Sequence, residues 1–222
     1  MSSEKGMSAM RVKTEAKRDA ILDAASHVFL EAGFEGASMT EIATRIGGSK
    51  GTLYGYFSSK EELFVAVMHE AARKQFEPVF AAMNQEVDNL PKALQTFGEK
   101  SLEFLCSDRS IQARRAVIAE SGRTDIGKRF YEMGPKFGMQ KIAEFLGNQM
   151  DLGRLRKSDP LLAAMQLMAL FECETIMPLM FGVEKTLSKA RIRLAVRHAL
   201  NTFFAAHATE ALMIASRRNV ES

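Results

Sequence analysis

The chain has 222 residues, 46% of them hydrophobic and 26% charged, with a formal net charge of +3. This composition supplies a substantial core for one or two domains, and so mild a basic excess does not by itself point to nucleic acid. No apolar run approaches the roughly 18 residues that cross a bilayer, no signal-peptide run opens the chain, and Cys106 and Cys173 lack metal or disulfide spacing, so a cytoplasmic chain with no membrane contact is expected.

The first fifteen residues read as a flexible basic arm. Over the first eighteen, Lys5, Arg11, Lys13, Lys17 and Arg18 outweigh Glu4 and Glu15. Such an arm is either a solvated tail or a phosphate-seeking one. Ile21, Leu22, Ala25, Val28 and Phe29 then fall on one face of a helix that Gly33 stops. Ser38-Met39-Thr40-Glu41 is a capping box opening a short helix with Ile42, Ala43 and Ile46 inward, ended by Gly47-Gly48. Ser49 caps the next helix, which runs to about Phe57, and Ser58-Ser59-Lys60-Glu61-Glu62 offers another box for a long helix through Leu63, Phe64 and Val67. Further helices are expected at about 90–107, 111–121, 125–151, 160–180 and 188–215, with Pro135 and Pro178 breaking or kinking the third and fourth of these. No strand pattern or repeat emerges. The fold class is all-α, about nine helices: a basic arm at 1–15, a three-helix helix-turn-helix domain at 16–60, a helical bundle at 61–216 and a tail at 217–222.

The informative stretch is ASMTEIATRIGGSKGTLYGYFSSKEEL, Ala37 to Leu63. Two short helices joined by a glycine-bearing turn, with Phe29 and Phe34 packed beneath them, make a helix-turn-helix whose second helix is free to enter the major groove. The outward positions of that helix are small, hydroxylated or basic, which is not the Glu/Lys mixture of a solvated face. Its first turn carries Ser49, Lys50, Gly51 and Thr52, donors with little bulk.

This stretch resembles the DNA-binding domain of the TetR (tetracycline-repressor) family, including its SKGTLY-x-YF-x-SKEEL signature, over about residues 15–65. The resemblance implies that Ser38 caps helix two and donates to a phosphate. It places Ser49, Lys50, Tyr54, Tyr56 and Lys60 where phosphates are held, and Lys50, Gly51, Thr52 and Gly55 where base edges are approached. Gly55 and Gly48 depart from the family pattern, which has a larger residue at the first position and valine at the second. Each contact has a plainer alternative: Tyr54 as a core residue, Thr52 as a silent surface residue, Lys60 as a solvated first-turn lysine.

The second half resembles the family more loosely, with AESGRTDIGKRFYEMGP (Ala119 to Pro135) similar to an AefR-type C-terminal domain. That implies a ligand-binding regulatory domain. Fourteen Met and fifteen Phe suit an adaptable apolar pocket, for which Phe76, Phe80, Phe104, Phe137, Met168, Phe171 and Glu172 are the candidates; an ordinary core is the alternative. Glu172 and Glu174 flank Cys173 in an apolar helix, and a buried carboxylate there would need a partner. Leu161 and Met165, with Ile192, Val196, Ala199 and Phe203 on the last helix, are the expected dimer surface, because one short recognition helix reads too few base pairs.

No HExxH, P-loop, GxGxxG or GxSxG occurs, and His27, His69, His198 and His207 are scattered. No catalytic residue, metal ligand or cofactor is therefore expected. The expected function is a homodimeric, ligand-responsive repressor of double-stranded operator DNA, released by a small apolar inducer. A transcriptional activator and a helix-turn-helix scaffold for another protein are the alternatives. Lys50 and Lys60, doubled in a dimer, predict a log–log salt slope of at least about −3 to −4 for duplex binding.

Overall fold

A computed structural model of the chain describes residues 2–85, 89–210 and 212, with side chains for 15–83, 89–210 and 212. The described residues form eleven helices: α1 (Ser2–Gly36), α2 (Met39–Arg45), α3 (Lys50–Tyr54), α4 (Lys60–Gln85), α5 (Leu90–Leu105), α6 (Asp108–Glu120), α7 (Ile126–Met133), α8 (Pro135–Asp151), α9 (Pro160–Glu172), α10 (Ile176–Met180) and α11 (Lys189–His207). The class is all-α, as the periodicity predicts. The count exceeds nine because two expected helices are each divided. Gly134-Pro135 separates α7 from α8, since proline can open a helix but not continue one. The 160–180 segment breaks at Cys173–Thr175, whereas Pro178 lies within α10. Along the basic arm the backbone is already helical from Ser2, so helix one extends through it. The tail expected at 217–222 lies outside the described residues.

Local chemistry sets the boundaries. Gly33 takes φ 71°, a left-handed conformation that an L side chain resists, and breaks the helical course of α1. The Ser38 hydroxyl accepts from the Glu41 N–H at 3.1 Å, and Glu41 turns its carboxylate to Arg45. Gly47, at φ 62°, makes the turn between α2 and α3, and Gly48 has no such requirement. At α4 the box is shared between two serines: Ser59 Oγ accepts from the Glu62 N–H at 3.1 Å, while the Glu62 carboxylate accepts from the Ser58 N–H at 2.8 Å and the Ser58 hydroxyl at 2.6 Å. Those hydrogen bonds, the hydroxyl's first, hold the Glu62 carboxyl below its ordinary range.

The chain divides into two compact units, Met1–Ala72 with Gln112–Phe130, and Arg73–Ile111 with Tyr131–Ser222. In the first, the expected face of α1 (Ile21, Leu22, Ala25, Val28, Phe29) is buried together with Ile42, Leu53, Phe57, Leu63 and Phe64. Phe29 meets Phe64 edge-on at 5.0 Å and Phe34 lies 4.9 Å from the same ring, pairs worth about 0.5–1.5 kcal/mol each beyond their burial. Ala113, Val117 and Ile126 complete this core, so parts of α6 and α7 belong to the helix-turn-helix unit.

The second unit packs α8 on α9 and α11 on both α5 and α9. Gly98 is needed there for space: a Cβ would sit 2.7 Å from the Phe171 ring. The end of α11 is pinned to the segment after α8, where the Arg156 N–H donates to His207 O at 2.7 Å and Thr209 Oγ1 donates to Gly153 O at 2.9 Å. Ala208 turns extended and pairs with Leu155, so α11 stops at His207 instead of near 215.

Candidate nucleic-acid interface

The recognition segment is shorter than its sequence suggests. Helical geometry covers Lys50–Tyr54, with Ser49 as N-cap and Gly55 as C-cap. Ser49 Oγ accepts from the Thr52 N–H at 3.0 Å and lies 2.9 Å from Thr52 Oγ1, so two hydroxyls form one exposed pair at the head of the helix. Leu53 is fully buried and is the one buried residue of α3. Everything else in the helix is turned outward: Lys50, Gly51, Thr52 and Tyr54 are exposed, as is Gly55 after them.

Lys50 and Tyr54 stand one turn apart on the same face, the ammonium 6.0 Å from the ring centroid. Tyr54 is therefore not a core residue, since 45% of it is exposed. Tyr56 is half-buried against the core, and Phe57 is buried beneath the Arg18 guanidinium at 5.5 Å. A β-carbon at Gly55 would approach Thr52 O at 3.3 Å, tight but not prohibitive. Ser38 sits at the head of α2 with its cap bond made. The structure thus brings Ser49, Lys50, Gly51, Thr52, Tyr54 and Gly55 into one exposed segment.

Lys60 departs from expectation. Its ammonium donates to Phe34 O at 2.8 Å, Ala37 O at 3.3 Å and Glu35 O at 3.4 Å, and sits 4.4 Å from the Phe34 ring centroid. All three donors meet main-chain carbonyls, so the ammonium is tied to the end of α1 and is not simply a solvated first-turn lysine. A second tie has no signature in the sequence. Arg45 on α2 grips Glu31 on α1 through two hydrogen bonds, 3.0 and 2.8 Å. The pairing lowers the Glu31 carboxyl and raises the Arg45 guanidinium from their ordinary ranges, through that hydrogen bonding first.

The pocket candidates fall into two groups. Phe104, Phe76, Phe80, Phe97 and Phe171 form a run of neighbouring rings with centroid separations of 5.2, 6.1, 5.7 and 6.3 Å. Met168 is half-buried against the same core, and Glu172 is half-buried. Phe137 does not join them: its ring is 51% exposed, with Lys141 5.8 Å from its centroid. Ser101, which composition could not single out, is fully buried with no hydrogen-bond partner for its hydroxyl among the described residues. Glu174 finds its partners on α11, His198 at 2.9 Å and Arg191 at 3.6 Å.

The dimer candidates also divide. Ile192, Val196, Ala199 and Phe203 lie inside the core of their own chain and present no surface. The helix carries apolar residues on the face that α5 and α9 already cover. Leu161 and Met165 are exposed at 45% and 51%, and at the same four-residue spacing along the sequence Ala169, Cys173, Met177 and Phe181 are exposed as well. The expectation is corrected for the four α11 residues, which are core, while Leu161 and Met165 keep the exposure that a dimer surface needs.

Among the described residues no helix is long and apolar enough to cross a membrane, and no cluster of three or more His, Cys, Asp or Glu residues is placed to hold a metal.

Comparison with known proteins matches the chain in two segments. Residues 21–67 match the family model for bacterial regulatory proteins of the tetR family, and residues 92–209 match that of the AefR-like transcriptional repressor C-terminal domain. An HTH-type transcriptional activator, FasR of Mycolicibacterium smegmatis, is 40% identical over 98 residues, 44% of each chain. An HTH-type transcriptional repressor, BepR of Brucella suis biovar 1, is 33% identical over 110 residues, 49% of this chain and 53% of its own. The chain thus spans about half the length of these curated relatives. A TetR-family regulator from Mesorhizobium loti superposes with a TM-score of 0.79 at 26% identity, over 88% of this chain and 98% of the other. The flavonoid-responsive regulator FrrA superposes with a TM-score of 0.65 at 28% identity, over 88% and 99%.

Proposed function

The chain belongs to the TetR family of bacterial transcriptional regulators, and from that premise we propose that it is a ligand-responsive repressor binding a palindromic operator as a homodimer. The observation carrying the DNA reading is the face of α3. Five of the six residues Lys50–Gly55 are exposed, and they offer an ammonium, a hydroxyl, a phenol and two glycines that admit a close neighbour. Lys50 and the Ser49–Thr52 hydroxyl pair address phosphates, Tyr54 extends that contact through its phenol, and Gly51 and Thr52 approach base edges. Ser38 and Tyr56 contribute at the margins, the first from the head of α2. The test is equilibrium binding to a duplex that the wild-type chain selects from a randomised pool. Two chains per duplex and a salt-sensitive affinity support the reading, and equal, salt-insensitive affinity for every duplex contradicts it.

Dimerisation rests on the α9–α10 stripe. Leu161, Met165, Met177 and Phe181 are 45–76% exposed, an apolar surface that a monomer would leave against water. Two-fold pairing of that stripe would set two α3 helices at a fixed spacing over two half-sites. Ligand response rests on the ring run in the second unit, where the neutral Ser101 hydroxyl lies one helical turn from both Phe97 and Phe104. An effector for such a site is largely apolar and carries a hydrogen-bonding group. A structural neighbour named as flavonoid-responsive supports a small-molecule effector here. Effector and operator then favour different states, a coupling typically worth 1–3 kcal/mol. Work in the cytoplasm follows from this reading.

A second reading, activation, is favoured by the 40% identity to a protein named as an activator. Deleting the gene separates the two: transcription from the bound promoter rises for a repressor and falls for an activator.

A further inference from the structure

Within the DNA-binding reading, we infer that Lys60 is a positioning residue, a latch that closes the base of the helix-turn-helix, and not a ligand for phosphate. The argument begins with where its partners lie. After the break at Gly33, the carbonyls of Phe34, Glu35 and Ala37 converge on one point, and the Lys60 ammonium occupies it at 2.8 to 3.4 Å. Carbonyls at the end of a helix lack intrahelical partners and carry partial negative charge, so a cation placed there is stabilised. An ammonium is the fitting cation, because its three N–H groups diverge toward three separate acceptors while its charge stands 4.4 Å from the Phe34 ring centroid.

The topology gives this contact its consequence. The latch joins residues 23 to 26 positions apart, and the segment it closes contains the whole of α2 and α3. Inside that segment α3 has one buried residue, Leu53, so apolar packing alone holds it at a single point. The orientation of Lys50, Thr52 and Tyr54 therefore depends on the closure of the loop at both ends. Lys60 supplies that closure at the first residue of α4, and Arg45 supplies a second tie from α2 to Glu31.

The experiment compares wild type, Lys60→Met and Lys60→Arg. Affinity for the duplex selected by the wild-type chain is read across salt, and thermal unfolding is read on the free protein. The latch predicts that both substitutions weaken duplex binding at least about five-fold and leave the log–log salt slope unchanged, since no phosphate contact is lost. It also predicts a lower melting temperature without DNA, and no rescue by arginine, whose planar fork does not match three converging carbonyls. A phosphate ligand behaves oppositely. Lys60→Met would make the slope shallower by about 1.8 per dimer, Lys60→Arg would bind like wild type, and the free protein would melt unchanged, any of which overturns the latch. Should Lys60→Met not fold, Lys60→Gln keeps two N–H donors without the charge, and a loss of affinity at constant slope is expected of it; wild-type affinity for that variant also overturns the latch. A wild-type chain indifferent to every duplex removes the regulator reading itself, and is distinguished from a failure of the latch alone by the wild-type titration.

Discussion

The helix-turn-helix unit and the unit built on α5, α8, α9 and α11 are stabilised in different ways. In the first, the short helices α2 and α3, with few apolar anchors of their own, are placed by directional ties: Ser38 and Ser49 at helix heads, the Ser58–Glu62 hydrogen bonds, Arg45 on Glu31 and Lys60 on three carbonyls. In the second, longer helices bury a continuous apolar interior around Phe97, Phe171 and Phe203. The four buried polar residues of the described chain, Ser101, Ser110, Gln149 and Thr175, all lie there, and Ser101 alone of them has no side-chain partner among the described residues. Directional ties fix a surface in one geometry, as a reader of a repeating polymer requires. An apolar interior tolerates rearrangement, as a receptor for a small guest requires.

The largest expected effect would break this contrast at its thinnest point. Leu53→Ala removes the sole apolar anchor of α3, and a loss of about 2–5 kcal/mol is expected by calorimetry, with duplex binding abolished. In the other unit, Gly98→Ala drives a methyl into the Phe171 ring, and about 1–3 kcal/mol should be lost in the same measurement. Met165→Glu places a charge on the exposed stripe. Sedimentation should then show monomers with unaltered helicity, whereas the same substitution at Val196, inside the core, should unfold the chain.

Smaller effects sharpen the comparison. Ser101→Ala removes a buried hydroxyl that has no partner among the described residues, so it should be neutral or stabilising by up to about 1 kcal/mol in thermal unfolding, the reverse of most core truncations. The smallest concerns pH. His207, stacked on Phe203 and hydrogen-bonded to Gln166, is held below its ordinary imidazole range by burial first and by Arg156 second. Its folded form resists protonation, so the unfolded state binds the proton first and stability falls as pH drops through about 6.5. His207→Gln should flatten that part of the stability–pH curve, measured by denaturant titration.

How legible these features were in the sequence depends on the distance over which they act. Ser38, Gly33, Ser49 and the Ser59–Glu62 box act within four residues, so residue type and spacing announce them. The buried face of α1 is equally legible, because one periodic stripe allows one orientation. The ties of Lys60 were not legible because its acceptors are main-chain carbonyls 23 to 26 residues upstream, which residue types do not encode. On α11 the apolar residues show a face to be buried, and only the positions of α5 and α9 decide that it is buried within the chain. Leu161 and Met165 were legible as surface residues, and the exposure of Met177 and Phe181 was not, because the helix expected over 160–180 breaks at Cys173–Thr175.

The most direct test of the account lies in the outward face of α3. Lys50→Ala leaves the core untouched and removes the one cation of the recognition helix. Measured across salt on the selected duplex, it should weaken binding and make the log–log slope shallower by about 1.8 per dimer, one phosphate contact for each chain. Unchanged affinity and slope in Lys50→Ala would contradict the claim that this helix faces DNA.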